Sequence, residues 1–252
     1  MHRSCPPAPR PGWAFAPGSL PGLPRLLLGA VLAASASAAL AGRPLQTEDA
    51  GVLARGDCEL EAVLEQAGAG AARVRGRGLG VGCGLWPGLQ AGLALATAEA
   101  EGQRSRALGL GGKWRLAGAE DGGPQFALTA GLDWQREPGA GWRRAGLGLG
   151  VVASLPAGPG TVHLALDHGR DRLAALTTTS WGLAYEAEEQ ALAGLAWAPM
   201  AELVGDDRGG AAFNLGLRLA AVPERLWLDA SWGRQLKGER ERVMTLGLKW
   251  AF

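Results

Sequence analysis

The segment Arg242–Phe252, with the sequence RVMTLGLKWAF, decides the fold. Large apolar residues stand at every second position from Met244 to Phe252, and Thr245, Gly247, Lys249 and Ala251 stand between them. Successive side chains of a β-strand point to opposite faces. The segment therefore predicts a strand with one large apolar face and one face that is small or polar.

The same alternation recurs along the chain from Cys58 onward, in segments of about ten residues separated by turn residues. Clear examples run from Phe126 to Trp134 and from Phe213 to Leu219. Pro199 should interrupt a ladder or mark a bulge. The pattern predicts about twelve strands, near 58–66, 75–86, 88–98, 106–117, 124–136, 142–155, 160–170, 178–188, 191–204, 211–221, 225–235 and 242–252.

The composition excludes several classes of protein. Hydrophobic residues make up 47% of the 252 residues, but the mean hydropathy is only +0.03, too low for a bundle of membrane helices. The 41 glycines disfavour a helical fold. A net charge of +1 gives no electrostatic reason to expect nucleic-acid binding.

The first 41 residues have the features of a cleaved signal peptide. Arg3, Arg10 and Arg25 precede an apolar run from Leu26 to about Leu40, and Ala39-Leu40-Ala41 forms a small-x-small cleavage site. The alternative is an uncleaved anchor, although the run is shorter than the roughly 20 residues that a spanning helix needs. We expect three parts: a signal peptide at 1–41, an N-terminal segment at 42–56 that is periplasmic or inserted in a lumen, and a barrel at 57–252.

An exported chain with alternating strands favours an all-β fold, an antiparallel transmembrane β-barrel in the bacterial outer membrane. An even strand count leaves both chain ends on the periplasmic side. A soluble β-sandwich also has alternating strands. It gives no reason, however, for aromatic residues on the apolar faces near strand ends, as is seen for Trp114, Trp134, Trp181, Tyr185, Trp197, Trp232 and Trp250.

Both ends of the predicted mature chain resemble a known family. The stretches 43–51 (RPLQTEDAG), 56–61 (GDCELE), 201–210 (AELVGDDRGG) and 245–252 (TLGLKWAF) are similar to outer-membrane transporters or channels whose genes accompany phenol meta-cleavage pathways. The resemblance implies an outer-membrane location and transport of small solutes. The terminal Phe252 resembles the signal that the barrel-assembly machinery reads, which makes that machinery and outer-membrane lipids the expected partners.

Charged residues on the small or polar face are expected to line the lumen, because Arg or Lys on the lipid face costs about 2–4 kcal/mol at the bilayer midplane. They would either tune solute selectivity or close a narrow lumen through salt bridges. These candidates are Glu59, Glu61, Glu65, Lys113, Arg115, Asp133, His163, Asp167, Glu186, Glu202, Arg218, Asp229 and Lys249.

Glycines concentrate on the lumen face of three predicted strands, and they leave room for a solute path or for the N-terminal segment. The alternative is relief of crowding and strand curvature. The glycines are Gly78, Gly80, Gly82, Gly84, Gly109, Gly111, Gly146, Gly148 and Gly150.

No catalytic, metal or cofactor site is predicted. His163 and Asp167 share a strand face but lie about 13 Å apart along it. Ser154, Ser180 and Ser231 have no nucleophile motif around them. The three histidines, one of them in the signal peptide, form no ligand cluster.

Cys58 and Cys83 are expected to form a disulfide, because export exposes them to an oxidising compartment. A tight turn near Gly70-Ala71 places Leu60 opposite Val81 and Cys58 opposite Cys83. The alternative is two free thiols.

The sequence favours a passive channel for small solutes, including aromatic or otherwise hydrophobic ones. A closed structural or binding barrel is the first alternative, and a barrel hydrolase is the second.

Overall fold

The structure is a computed structural model that describes residues 44–69, 72–118, 122–192, 195–208, 210–238 and 240–252. The predicted signal peptide, residues 1–41, lies outside the described residues. Within the described ranges, no helix has the length and apolar character needed to cross a membrane.

The described residues form thirteen antiparallel strands, of which twelve are long and one has three residues. They are β1 (Cys58–Ala69), β2 (Ala72–Trp86), β3 (Leu89–Ala100), β4 (Gln103–Ala117), β5 (Gln125–Arg136), β6 (Arg143–Pro156), β7 (Gly160–Asp171), β8 (Leu176–Ala187), β9 (Gln190–Leu192), β10 (Leu195–Asp206), β11 (Ala211–Val222), β12 (Leu226–Gln235) and β13 (Arg242–Ala251).

The twelve long strands close into a barrel. Each long strand pairs with the long strands before and after it in the chain, so β8 pairs directly with β10. β1 pairs with β13 from Glu59↔Ala251 to Gly68↔Arg242 and closes the barrel. Cys58 and Phe252 exchange both backbone hydrogen bonds at 2.9 Å and so complete the seam. The predicted fold class and strand number are confirmed.

We call the end of the barrel where β1 begins and β13 ends the proximal end, and the opposite end the distal end. The hairpin between β1 and β2 lies at the distal end. Its register places Leu60 opposite Val81 and Glu61 opposite Gly80, as the apolar faces predicted. Cys58 lies opposite Cys83 at the proximal end, and a disulfide joins them across a Cα–Cα distance of 4.2 Å.

Pro199 interrupts a ladder, as predicted. β10 pairs with β11 on one side throughout Ala196–Gly205, but its ladder with β8 begins only at Met200. Before that point the same edge pairs with β9. The predicted strand at 191–204 was therefore wrong in its bounds, because it joined two strands into one.

The two faces of the wall differ as the alternation requires. Large apolar side chains point outward and are exposed, Leu149 to 61% and Leu246 to 60%. Inward positions carry polar residues, glycine and alanine, and several of these are buried inside the barrel. Such a continuous exposed apolar wall is unfavourable in water and favourable in lipid.

Candidate functional site

The N-terminal segment occupies part of the lumen. Leu45, Thr47 and Ala50 lie outside every strand, yet each is at most 3% exposed. Leu45 packs against Ala184, Ala198 and Met200, and Ala50 packs against Ala127, Val152 and Ala165. All six are inward-facing positions of the wall. From Pro44 onward, the segment therefore lies inside the barrel.

Glu202 holds the segment from β10. Its carboxylate accepts hydrogen bonds from the Gln46 and Thr47 amides, each at 2.8 Å, and from the Thr47 hydroxyl at 2.7 Å. Asn214 Nδ2 donates to the same carboxylate at 2.9 Å. A buried carboxylate with this many donors is well stabilised, since hydrogen bonds to charged groups are stronger than neutral ones.

Lys113 holds the segment from β4. Its Nζ lies 2.7 Å from Glu48 Oε1 and 3.6 Å from Asp49 Oδ1, and it donates to the Asp49 carbonyl at 2.8 Å. Burial raises the pKa of Glu48 to about 7, against the attraction of Lys113. Burial alone would also raise the pKa of Asp49, but Lys113 and other nearby donors and cations outweigh it and lower that pKa to about 2.

Three glycines of the wall provide space for the segment. A Cβ at Gly216 would lie 2.7 Å from Pro44 Cγ, and one at Gly182 would lie 2.5 Å from Thr47 Oγ1. A Cβ at Gly84 would collide with the Ala54 carbonyl oxygen. Since real Cβ atoms do not approach other atoms this closely, larger residues at these positions would displace the segment.

We call the inner face of β8, β10–β13 and β1 the charged wall. Most of its charged side chains lie next to a side chain of opposite charge. Lys249 forms a salt bridge with Glu59, and its Nζ also lies 3.9 Å from Glu61. Arg218 bonds Asp229 at 2.9 Å, and its Nη1 lies 3.6 Å from Glu186. Because opposite charges neutralise each other there, this wall is well suited to a fixed structure.

The inner face of β2–β7, which we call the glycine wall, carries two acids without such partners. Asp133 lies directly opposite Gly146, and Asp167 lies directly opposite Gly150. Among the described residues, neither acid forms a salt bridge. A Cβ at Gly150 would collide with the Asp167 carboxylate, so this glycine leaves the acid room to face the lumen.

Ser154 and His163 lie side by side on β6 and β7, and the sequence did not predict this contact. Ser154 Oγ is 2.8 Å from His163 Nδ1, and His163 Nε2 is 3.5 Å from Glu186 Oε2. A serine hydrolase also needs hydrogen-bond donors that stabilise the oxyanion of the acyl-transfer step. The backbone around Ser154 is already paired in the ladder with β7. The Ser154 hydroxyl instead accepts a hydrogen bond from the Ala50 amide at 2.8 Å. Ser154 therefore helps to hold the N-terminal segment.

The structure brings together most of the predicted lumen residues, and it adds three that the sequence analysis missed. Gln90, Ser154 and Asn214 all contact the segment, Gln90 through its Oε1 at 2.9 Å from the Leu53 amide. The alternation in the sequence places all three on the small or polar face of their strands, but the prediction was limited to charged residues. Arg115 and Glu65 lie on inward positions of β4 and β1. The described ranges contain no cluster of three or more metal-ligating side chains.

Comparisons with known proteins find the same fold. No family model and no curated protein matches the chain. The KdgM porin, solved in complex with disordered oligogalacturonate, superposes with a TM-score of 0.54 at 11% identity, covering 77% of this chain and 99% of that chain. The NanC porin gives 0.53 at 10% identity, covering 76% and 98%.

A COG4313 outer membrane channel from Pseudomonas putida F1 gives a TM-score of 0.53 at 13% identity, covering 81% of this chain and 98% of that chain. At these identities the likeness concerns the fold. A closed twelve-stranded barrel with an apolar outer wall is an outer-membrane β-barrel. The chain resides in the bacterial outer membrane.

Proposed function

We propose that this protein is an outer-membrane channel for small solutes, and that the N-terminal segment narrows its lumen. The observation that carries the proposal is the way the lumen is occupied. Part of it is occupied by a segment that side chains such as Glu202 and Lys113 hold through polar contacts. Eight-stranded barrels are filled by their own wall, whereas larger ones leave internal space.

The solute path that we propose runs along the glycine wall. Glycine at 109, 111, 146, 148 and 150 gives this side of the lumen little side-chain volume. Asp133 and Asp167 face the same space, and neither forms a salt bridge within the described ranges. Unpaired carboxylates along a path attract cations, so we expect cations to pass more readily than anions.

Aromatic and other hydrophobic solutes are the class that the family resemblance implies. Several inward positions near the distal end are apolar, since Ala96, Ala98, Ala100 and Ala107 form one buried cluster with Val74 against it. These alanines are at most 8% exposed, so apolar parts of a solute would contact them only after local opening of the cluster. We propose small molecules with an aromatic part as the first class to test.

Swelling of liposomes that contain the folded protein tests this function. Benzyltrimethylammonium chloride and choline chloride carry the same permanent charge, but only the first has an aromatic ring. We expect both to enter, the aromatic one faster. Equal rates would contradict the preference for aromatic solutes but not the channel function. Absence of swelling, with protein whose heat-modifiable gel migration shows that it is folded, would contradict the channel function itself.

A closed binding or structural barrel is the second candidate, and the near-complete burial of Leu45, Thr47 and Ala50 favours it. The same swelling assay separates the two, since a closed barrel gives no flux in the folded state.

We further propose that Phe252 serves as the assembly signal. Its ring lies 5.1 Å from that of Trp250 on the outward face, and it is 60% exposed. Phe252→Ala should slow insertion by the assembly machinery in cells, whereas folding into detergent should change little.

A further inference from the structure

The outer wall carries a belt of arginines on its distal half. All are outward-facing strand positions, as their burial and their cross-strand partners show. We call them the arginine belt; its ten members are Arg73, Arg75, Arg77, Arg104, Arg106, Arg136, Arg144, Arg170, Arg234 and Arg242.

Members of the belt lie directly opposite one another. One row runs from Arg77 through Thr97 to Arg106, and Arg106 lies opposite Arg136. On the other side of the barrel, Arg234 lies opposite Arg242. Like charges in such positions destabilise a sheet, so these pairs call for a neutralising anion.

The protein supplies few anions there. Within the described residues, the belt makes one salt bridge, between Arg104 and Glu99 at 2.9 Å, and both side chains are at least half exposed. Glu101, Glu137, Asp207 and Glu241 lie beyond the strand ends, and Glu137 accepts a hydrogen bond from the inward-facing Ser105. Arg106 and Arg136 have no carboxylate partner in the described part of the chain.

The proximal half of the outer wall is built differently. Its outward strand positions hold no charged residue in the described strands, and aromatic residues such as Trp86, Trp114 and Trp250 border it. β1 begins and β13 ends here, and in bacterial single-chain barrels with an even strand number this is the periplasmic side. The arginine belt therefore lies at the level of the outer leaflet.

We propose that the arginine belt binds the phosphate groups of phosphorylated glycolipids in the outer leaflet. Guanidinium groups bind phosphate through two parallel hydrogen bonds. One phosphate between Arg106 and Arg136 would accept from both and remove their repulsion. Because the belt points away from the lumen, its ligand is a neighbouring membrane lipid and not a transported solute. The inference is independent of the channel function.

Native mass spectrometry of the detergent-solubilised protein tests this inference, with bisphosphorylated lipid A as the probe. The test variant is Arg106→Gln with Arg136→Gln. The control is Arg55→Gln with Arg225→Gln, two exposed positions at the proximal end. We expect the dissociation constant to rise about 30-fold in the test variant, since each arginine near an anionic surface contributes a factor of about five. The control should bind as the wild type does.

Three results would overturn the proposal. The first is equal lipid A binding by the test variant and the control. The second is equal binding of lipid A and its dephosphorylated form by the wild type, which decides the matter even if the test variant does not fold. The third is displacement of lipid A by equimolar inorganic phosphate, which would indicate a site for free phosphate.

Discussion

The acids on the two inner walls of the barrel differ in whether a basic partner neutralises them. On the charged wall, Lys249 and Arg218 are neutralised by acids of neighbouring strands, and Glu202 is saturated by donors of the N-terminal segment. On the glycine wall, Asp133 and Asp167 lack basic partners within the described residues and lie opposite glycines. Paired charges, including Lys113 of the glycine wall, fix the segment in place. The two unpaired acids lie on either side of Gly148, which has open space around it, and we expect them to act on solutes that pass there.

The largest effect should follow from Glu202→Leu. It removes the acceptor of the Gln46 and Thr47 amides and of the Thr47 hydroxyl, at a cost of about 5 kcal/mol to the inserted state. The segment should leave the lumen, and single-channel conductance should rise several-fold.

The matched control for Glu202 is Glu186→Leu, the same change on the same wall. Glu186 contacts Arg218 and His163 instead of the N-terminal segment. An equal rise in conductance for both variants would show that Glu202 does not retain the segment.

The seam between the two walls should be fastened covalently. Cys58 on β1 and Cys83 on β2 close a loop with a sequence separation of 25, which contributes about 3 kcal/mol of stability in the chain-entropy model. Mass spectrometry of protein alkylated without reductant should find both cysteines unmodified. Alkylation of both would show that the thiols are free.

Insertion of the segment should weaken as the pH rises. The pKa of Glu48 is about 7 in the lumen against 4.5 in water. A raised acid pKa means that the inserted state binds the proton more tightly than the released state does. The stabilisation of the inserted state is therefore complete below about pH 4.5 and is lost as the pH rises through about 7.

Conductance should accordingly increase from pH 5 to pH 8, and Glu48→Gln should flatten that increase. Asp49, with its pKa near 2, stays ionised throughout this range. A pH response that persists in Glu48→Gln would assign the response to another group.

The smallest effect concerns selectivity. Asp133→Asn with Asp167→Asn should lower the ratio of potassium to chloride permeability a few-fold, because these acids face the proposed path. Asp229→Asn is the comparison on the charged wall, and it should reduce stability more than selectivity, since Asp229 neutralises Arg218. Reversal potentials in a salt gradient measure both. The same shift for both variants would contradict the assignment of the path.

The sequence was sufficient for features that depend on strand parity. Alternation predicted about twelve strands, and together with a tight turn near Gly70-Ala71 it predicted the register that brings Cys58 opposite Cys83. The missing amide hydrogen of Pro199 predicted an interruption or a bulge at that residue, and the ladder is interrupted there. Each of these is local or concerns neighbouring strands, where a shift of one residue would turn every apolar side chain inward.

Contacts across the lumen could not be predicted in this way. Strand alternation predicts that Ser154, Gln90 and Asn214 face inward. It does not predict how deep in the lumen they lie or which residues they contact. The N-terminal segment has no alternation, so nothing in its sequence indicated that Ala50 would reach Ser154 or that Thr47 would reach Glu202. Those partners follow from strand tilt and barrel closure, which depend on all twelve strands together.

Single-channel recording of the protein with and without residues 44–52 tests the central claim most directly. We predict small, uniform openings for the intact protein and several-fold larger ones for the deletion, with both proteins migrating as folded barrels. Absence of current from both, in protein whose heat-modifiable migration proves the barrel intact, would contradict the account and indicate a closed barrel.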